Sequence, residues 1–226
     1  LYVRVFDAAG MGSHMNVSVC IKVPIANDHC ANAINIPNVS GKTLANPVNA
    51  NSFSTVGSGS CSGYFADDDL WYKFTAVNDT HLIVVIPTNP SPMTMPVIEL
   101  FAGDCSTGSV ECSASGELLA TGLIPGNVYY FRIYSAAYLA GRGNFRLGIS
   151  IPPPNLYCSS ATNVPVNENQ SCTLVTSGTM IGAGVKNETW YSFVATHPSM
   201  VITVNDSLGM DMALYDACDG QFLTGE

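Results

Sequence analysis

The chain is short of charge, and of positive charge most of all. Its 226 residues carry 8 Lys and Arg against 17 Asp and Glu, and charged residues make up 11%. So few basic residues cannot build the basic stripe that a phosphate backbone requires, which excludes nucleic acid as a partner class. The scarcity of Lys, Glu and Gln also removes the residues that favour helices, and no amphipathic helical stretch longer than about ten residues stands out. Apolar runs such as "HLIVVIP" are strand-length, well below the roughly 20 residues of a membrane-spanning helix. There is no C-x-x-C pair and no Cys/His cluster, which argues against zinc. Neither a G-x-S-x-G elbow nor an H-E-x-x-H helix occurs, and His14, His29, His81 and His197 fall in loops or at strand ends. A non-enzymatic role is therefore expected.

What is present favours sheet. Hydrophobic residues are 47% of the chain, with 20 Gly and 13 Pro punctuating it. "LYVRVF", "NVSVCIKV", "LWYKFTA", "HLIVVI", "VIELFA", "VYYFRIYS", "NFRLGIS", "WYSFVA" and "MVITV" are rich in β-branched and aromatic residues and are bounded by turn formers. In "VYYFRIYS", Tyr130, Arg132 and Tyr134 share one face, and Tyr129, Phe131 and Ile133 the other. The pattern predicts an all-β protein of tandem antiparallel β-sandwich domains with jelly-roll-like connections, with Trp71 and Trp190 as core anchors.

The sequence also repeats. Residues 129–152 lie over residues 1–24 without a gap, placing Tyr2 on Tyr130, Arg4 on Arg132, Phe6 on Tyr134 and Pro24 on Pro152. The same offset carries Asn27 onto Asn155 and Cys30 onto Cys158. "MGSHM", which resembles the remnant of a cleaved tag, occupies the place of "LAGRG" and reads as a native hairpin loop. Further on, "WYKFTA" at Trp71 matches "WYSFVA" at Trp190, and "IELFAGDC" ending at Cys105 matches "MALYDAC" ending at Cys218. Three pieces follow: residues 1–24, the last two strands of a preceding domain; 27–152, a complete domain; and 155–226, the first part of a third. The prolines of Ile151 to Asn155 form a short stiff linker.

Eight cysteines without metal spacing point to an oxidising compartment. The expected bridges are Cys30–Cys61 and Cys158–Cys172, each tying a domain's opening to the loop before its Trp strand, and Cys105–Cys112, close in sequence. Cys20 and Cys218 have no assigned partner. The acidic cluster Asp67, Asp68 and Asp69 offers hard oxygen ligands for calcium, against the plainer reading of a solvated turn that discourages edge pairing. Tyr64, Phe65 and Tyr138 are candidate aromatic platforms for a glycan, though ordinary loop packing explains them too. N-x-S/T sequons begin at Asn16, Asn38, Asn78, Asn169, Asn187 and Asn205.

The succession "NDHCANAI", a Trp-Tyr-x-Phe strand after an acidic stretch, "IELFAGDC", "GLIPGNVYYFRIYS" and "NFRLGIS" before a proline linker resembles the secreted tandem β-sandwich repeats of Bacteroidetes-type giant cell-surface proteins, similar to pre-peptidase C-terminal-like and CUB-like modules. The third piece departs from the pattern, with "NLYC" for "NDHC" and "VKNETW" for "ADDDLW". The resemblance implies an extracellular structural or adhesive protein: a surface stalk, adhesin or filament. The alternative is a carbohydrate- or protein-binding accessory module of a secreted enzyme. The expected partners are neighbouring repeat domains, or other subunits joined by head-to-tail strand addition. Residues 1–6 and 16–23 are accordingly expected to be strands packed in a sandwich.

Overall fold

The structure, a computed structural model, describes residues 1–6, 19, 25–38, 48–49, 57–58, 61, 65–66, 69–88, 93, 95–106, 108–136, 143–184, 187–205 and 209–225. After a 3-10 turn at Cys30–Asn32 come the short strands β1 (Ile34–Asn35), β2 (Val48–Asn49), β3 (Gly57–Ser58) and β4 (Phe65–Ala66). The long strands are β5 (Leu70–Thr75), β6 (His81–Pro87), β7 (Pro96–Ala102), β10 (Val128–Ser135) and β11 (Asn144–Ser150). The shorter β8 (Glu111–Ser113) and β9 (Glu117–Ala120) lie between β7 and β10. The five long strands coincide with predicted segments to within a residue or two, because their apolar runs are continuous and their turns are set by Gly, Asn, Asp and Pro.

Two sheets face each other. One runs β1-β5-β10-β7-β8 and the other β2-β11-β6-β9; a separate pair joins β3 and β4. From β5 to β11 the chain changes sheet at every connection except β7 to β8. That alternation forces the two layers to stack. The β1–β5 pairing is parallel and the other ladders of the two sheets are antiparallel. This is the all-β sandwich architecture expected. Gly116 stitches the layers at one corner, where its N–H donates to Pro96 O (3.1 Å) and its carbonyl accepts from Val85 N (2.8 Å). Its φ of +80° and the 3.0 Å that would separate a Cβ from Val85 O reserve the position for glycine.

The core between the sheets comes from alternate residues: Leu70, Tyr72 and Phe74 of β5, Phe131 and Ile133 of β10, and Phe145, Leu147 and Ile149 of β11 are fully buried. Tyr72 stacks on Phe131 at 5.5 Å between centroids, and Phe74 meets Phe131 edge-on at 6.1 Å. Each such side chain contributes roughly 1.5–3 kcal/mol by leaving water. Trp71 is buried too, but it does not anchor this core as expected. It projects from the opposite face of β5, where it packs with Ala33 and Phe101.

Residues 155–226 form smaller pieces: a 3-10 turn at Cys158–Ser160, β12 (Thr162–Asn163) paired in parallel with β13 (Tyr191–Ser192), and β14 (Ala213–Tyr215) paired with β15 (Phe222–Gly225). Two expected strands are shorter or missing. "WYSFVA" keeps ladder geometry only at Tyr191–Ser192, and "MVITV" is not a strand. Among the described residues of 155–226 no equivalents of β10 and β11 occur against which such strands would pair. Leu1 to Phe6, expected as a packed strand, is likewise exposed and outside any sheet: the described residues offer it no neighbouring strand to pair with. The second expected strand, 16–23, lies outside the described residues except for Val19, which is exposed.

Candidate functional site

The chemistry of the molecule concentrates on the outer face of the five-stranded sheet, away from the inter-sheet core. Alternation puts Tyr130, Arg132 and Tyr134 of β10 on that face. The ladder register sets Arg132 opposite both Trp71 of β5 and Glu99 of β7. Sequence alternation alone assigned Arg132 to the polar side of the strand. In the structure that side is covered, and Arg132 is 7% exposed.

A guanidinium this deep needs compensation. Its Nε donates to Glu99 Oε2, and Nη1 lies 3.3 Å from Asp69 Oδ2. Its plane sits 5.5 Å from the Trp71 ring, 5.6 Å from Phe101 and 5.5 Å from Tyr134. Glu99, fully buried, also accepts from Tyr134 OH (3.1 Å) through Oε1. The same Oε1 takes the backbone N–H of Cys61 at 2.7 Å. Asp69 Oδ2 accepts the Trp71 indole N–H at 3.1 Å. Burial, and next the charge of Glu99, push the Tyr134 phenol well above its ordinary range, so it remains a donor. Arg132, Glu99, Asp69, Tyr134 and Trp71 therefore form one connected network.

Of the acidic cluster read as a calcium site, the described residues include Asp69. Asp69 is turned inward and engaged by Arg132 and Trp71, because Arg132 lies across the ladder from its neighbour Trp71. Asp67 and Asp68 lie outside the described residues. Among the described residues no group of three or more His, Cys, Asp and Glu is placed to hold a metal ion.

The disulfides correct the expected pairing. The bridges are Cys30–Cys105, Cys61–Cys112 and Cys158–Cys218, with Cα separations of 6.2, 5.8 and 5.4 Å. Cys30–Cys61, Cys105–Cys112 and Cys158–Cys172 do not form, and Cys172 is exposed and unbridged. The cause lies in the sheet. Cys112 sits opposite Glu99 on the edge strand β8, and the Cys61 backbone is already bound to Glu99. Cys105 follows β7 at the corner where Cys30, Ala33 and Trp71 gather. Proximity in sequence misled, while the repeat held the signal: Cys158 and Cys218 are the counterparts of Cys30 and Cys105.

The other sequence candidates fare variously. Tyr64 and Tyr138, and the side chain of Phe65, lie outside the described residues. His81 is buried, unlike a reactive histidine in a cleft, and its Nε2 accepts from the N–H groups of Val77 (3.1 Å) and Asn78 (3.2 Å). Burial lowers its pKa, partly offset by Asp79. At the margin of the covered face, half-exposed Tyr130 carries Lys73 Nζ at 5.9 Å from its ring, an aromatic surface that sequence reading did not single out.

With this geometry in view, the chain belongs to a β-sandwich class of binding-domain-like modules. The family is the T9SS-associated one described as galactose binding domain-like, whose pattern matches residues 26–147, more than half of the chain. No curated protein matches. Among solved structures, the pre-peptidase C-terminal domain of a collagenase from Bacillus anthracis is similar at 14% identity and a TM-score of 0.33, over 52% of this chain and 93% of that one. PliG of Aeromonas hydrophila, a periplasmic inhibitor of g-type lysozyme, is similar at 14% identity and a TM-score of 0.32, over 52% and 96%.

Proposed function

We propose that the chain is part of an extracellular structural or adhesive protein of the cell surface, built from successive disulfide-pinned β-sandwich units that themselves catalyse nothing. Membership of a secretion-associated family supports the location, and the oxidised cysteines agree with it.

One observation carries the reading: the opening of the 27–152 unit and that of the 155–226 segment are built alike. Asn27 donates its amide to Trp71 O (3.1 Å) while Trp71 N–H donates to Asn27 O (2.8 Å); Asn155 and Trp190 do the same, at 2.8 Å each way. Each opening then has a 3-10 turn starting at a cysteine, a parallel bridge to the Trp strand, and a disulfide to the following hairpin. Trp71 leans on Phe101 at 5.1 Å and 42°, and Trp190 on Tyr215 at 5.7 Å and 41°. An array lengthens by adding such units, each tied internally, and its neighbours are further units. Imaging the intact native object tests this: an elongated assembly supports it, and a compact monomeric enzyme would overturn it.

The family's description favours one alternative, a carbohydrate-binding module, with Tyr130 beside Lys73 as the stacking surface. A glycan array with the full chain and with Tyr130→Ala decides it. Binding to one sugar class, lost in the variant, establishes the alternative; no binding leaves the structural role.

A further inference from the structure

The outer face of the four-stranded sheet is also covered, and its cover comes from the far side of the proline linker. Leu82 and Val84 of β6 pack with Leu156 and Ala183, joined by Leu119 of β9 and by Met180. The covering loop is shaped for close approach. Gly182 and Gly184 hold φ of +82° and +74° on either side of Ala183, which is nearly buried. A Cβ on Gly184 would come within 2.5 Å of Glu117 Oε1 and 2.9 Å of Leu82, and one on Gly182 within 2.5 Å of Ile151 O. The linker is itself stiffened by Pro152, Pro153 and Pro154, and Leu156 N–H closes back on Pro153 O at 3.2 Å.

We propose that the outer face of β6 and β9 is the seat on which the 27–152 unit holds the following unit at one fixed angle, through the Met180–Gly184 loop and Leu156. The inference rests on the reading of 155–226 as a following unit. The joint makes the pair a rigid rod segment rather than two beads on a tether. Two glycines in left-handed geometry against a neighbouring sheet are what a fixed seat requires, since an ordinary flexible linker needs neither.

The test uses the full chain and two variants that attack the joint from opposite sides, Gly184→Val and Leu119→Glu. Small-angle scattering gives the largest dimension, and chymotrypsin reports access to residues 151–158. Near-ultraviolet circular dichroism checks that the 27–152 unit stays folded, and peptide mapping checks Cys158–Cys218. The expected result is a longer particle and roughly tenfold faster linker cleavage in both variants, the effect of releasing well-buried apolar contacts. Unchanged scattering and cleavage in Leu119→Glu, with the 27–152 unit folded, would overturn the joint. Loss of Cys158–Cys218 in the unaltered chain would instead overturn the reading of a following unit.

Discussion

Arg132 is held by partners that it holds in turn, so single substitutions there should be costly and paired ones milder. Removing the guanidinium takes from buried Glu99 and Asp69 the cation they both face, a loss of about 3–5 kcal/mol when one partner of a buried ion pair is deleted. Arg132→Leu is therefore expected to shift the urea midpoint strongly downward. Arg132→Leu combined with Glu99→Leu should recover part of that loss, because one of the two buried carboxylates that faced Arg132 goes too. Equal losses in the single and double variants would mean that the network is not the source of the effect. His81 gives a pH signature at the same scale. Its pKa is lowered in the fold, so the unfolded chain takes a proton near pH 6.5 that the folded chain refuses. The stability that neutral His81 contributes is whole above about pH 6.5 and drains away as the pH falls below it. The expected measurement is a melting temperature that falls between pH 7.5 and 5, with a shallower fall in His81→Gln. The comparison with the variant removes the background from carboxylates.

At the scale of elements, the Asn27 turn and the cysteine bridge act as one clamp on the edge of β5. Asn27→Ala withdraws a buried donor from Trp71 O and should cost about 1–3 kcal/mol in chemical denaturation. Joint replacement of Cys30 and Cys105 by Ala should cost about 2–5 kcal/mol. How legible these elements were follows from what each depends on. β10 and β11 could be read because alternation and flanking turns are local properties. The depth of Arg132 could not be read, since alternation names two faces and does not say what covers the second one. Glu99 was invisible for the same reason: one glutamate in "VIELFA" gains meaning only when the ladder puts Arg132 beside it. The bridges went astray because sequence separation is a poor guide to distance once strands cross between sheets. Leu1 to Phe6 has strand chemistry but no strand beside it among the described residues, and a strand is made by its neighbours as much as by its residues.

For the whole molecule, the covers on the two sheets differ in origin. The five-stranded sheet is sealed from within the unit by the Cys61 segment, the Asn27 turn and the buried ion network; the four-stranded sheet is covered from across the linker. In the proposed array of successive units, that asymmetry would set a direction. The central claim, that 155–226 rebuilds the construction of 27–152 in an oxidised surface protein, is tested most directly by peptide mapping without reduction on protein taken from the native exterior. The account predicts Cys30 linked to Cys105, Cys158 linked to Cys218 and Cys61 linked to Cys112. Cys105 linked to Cys112, or Cys158 to Cys172, or the six cysteines recovered as free thiols, would contradict it.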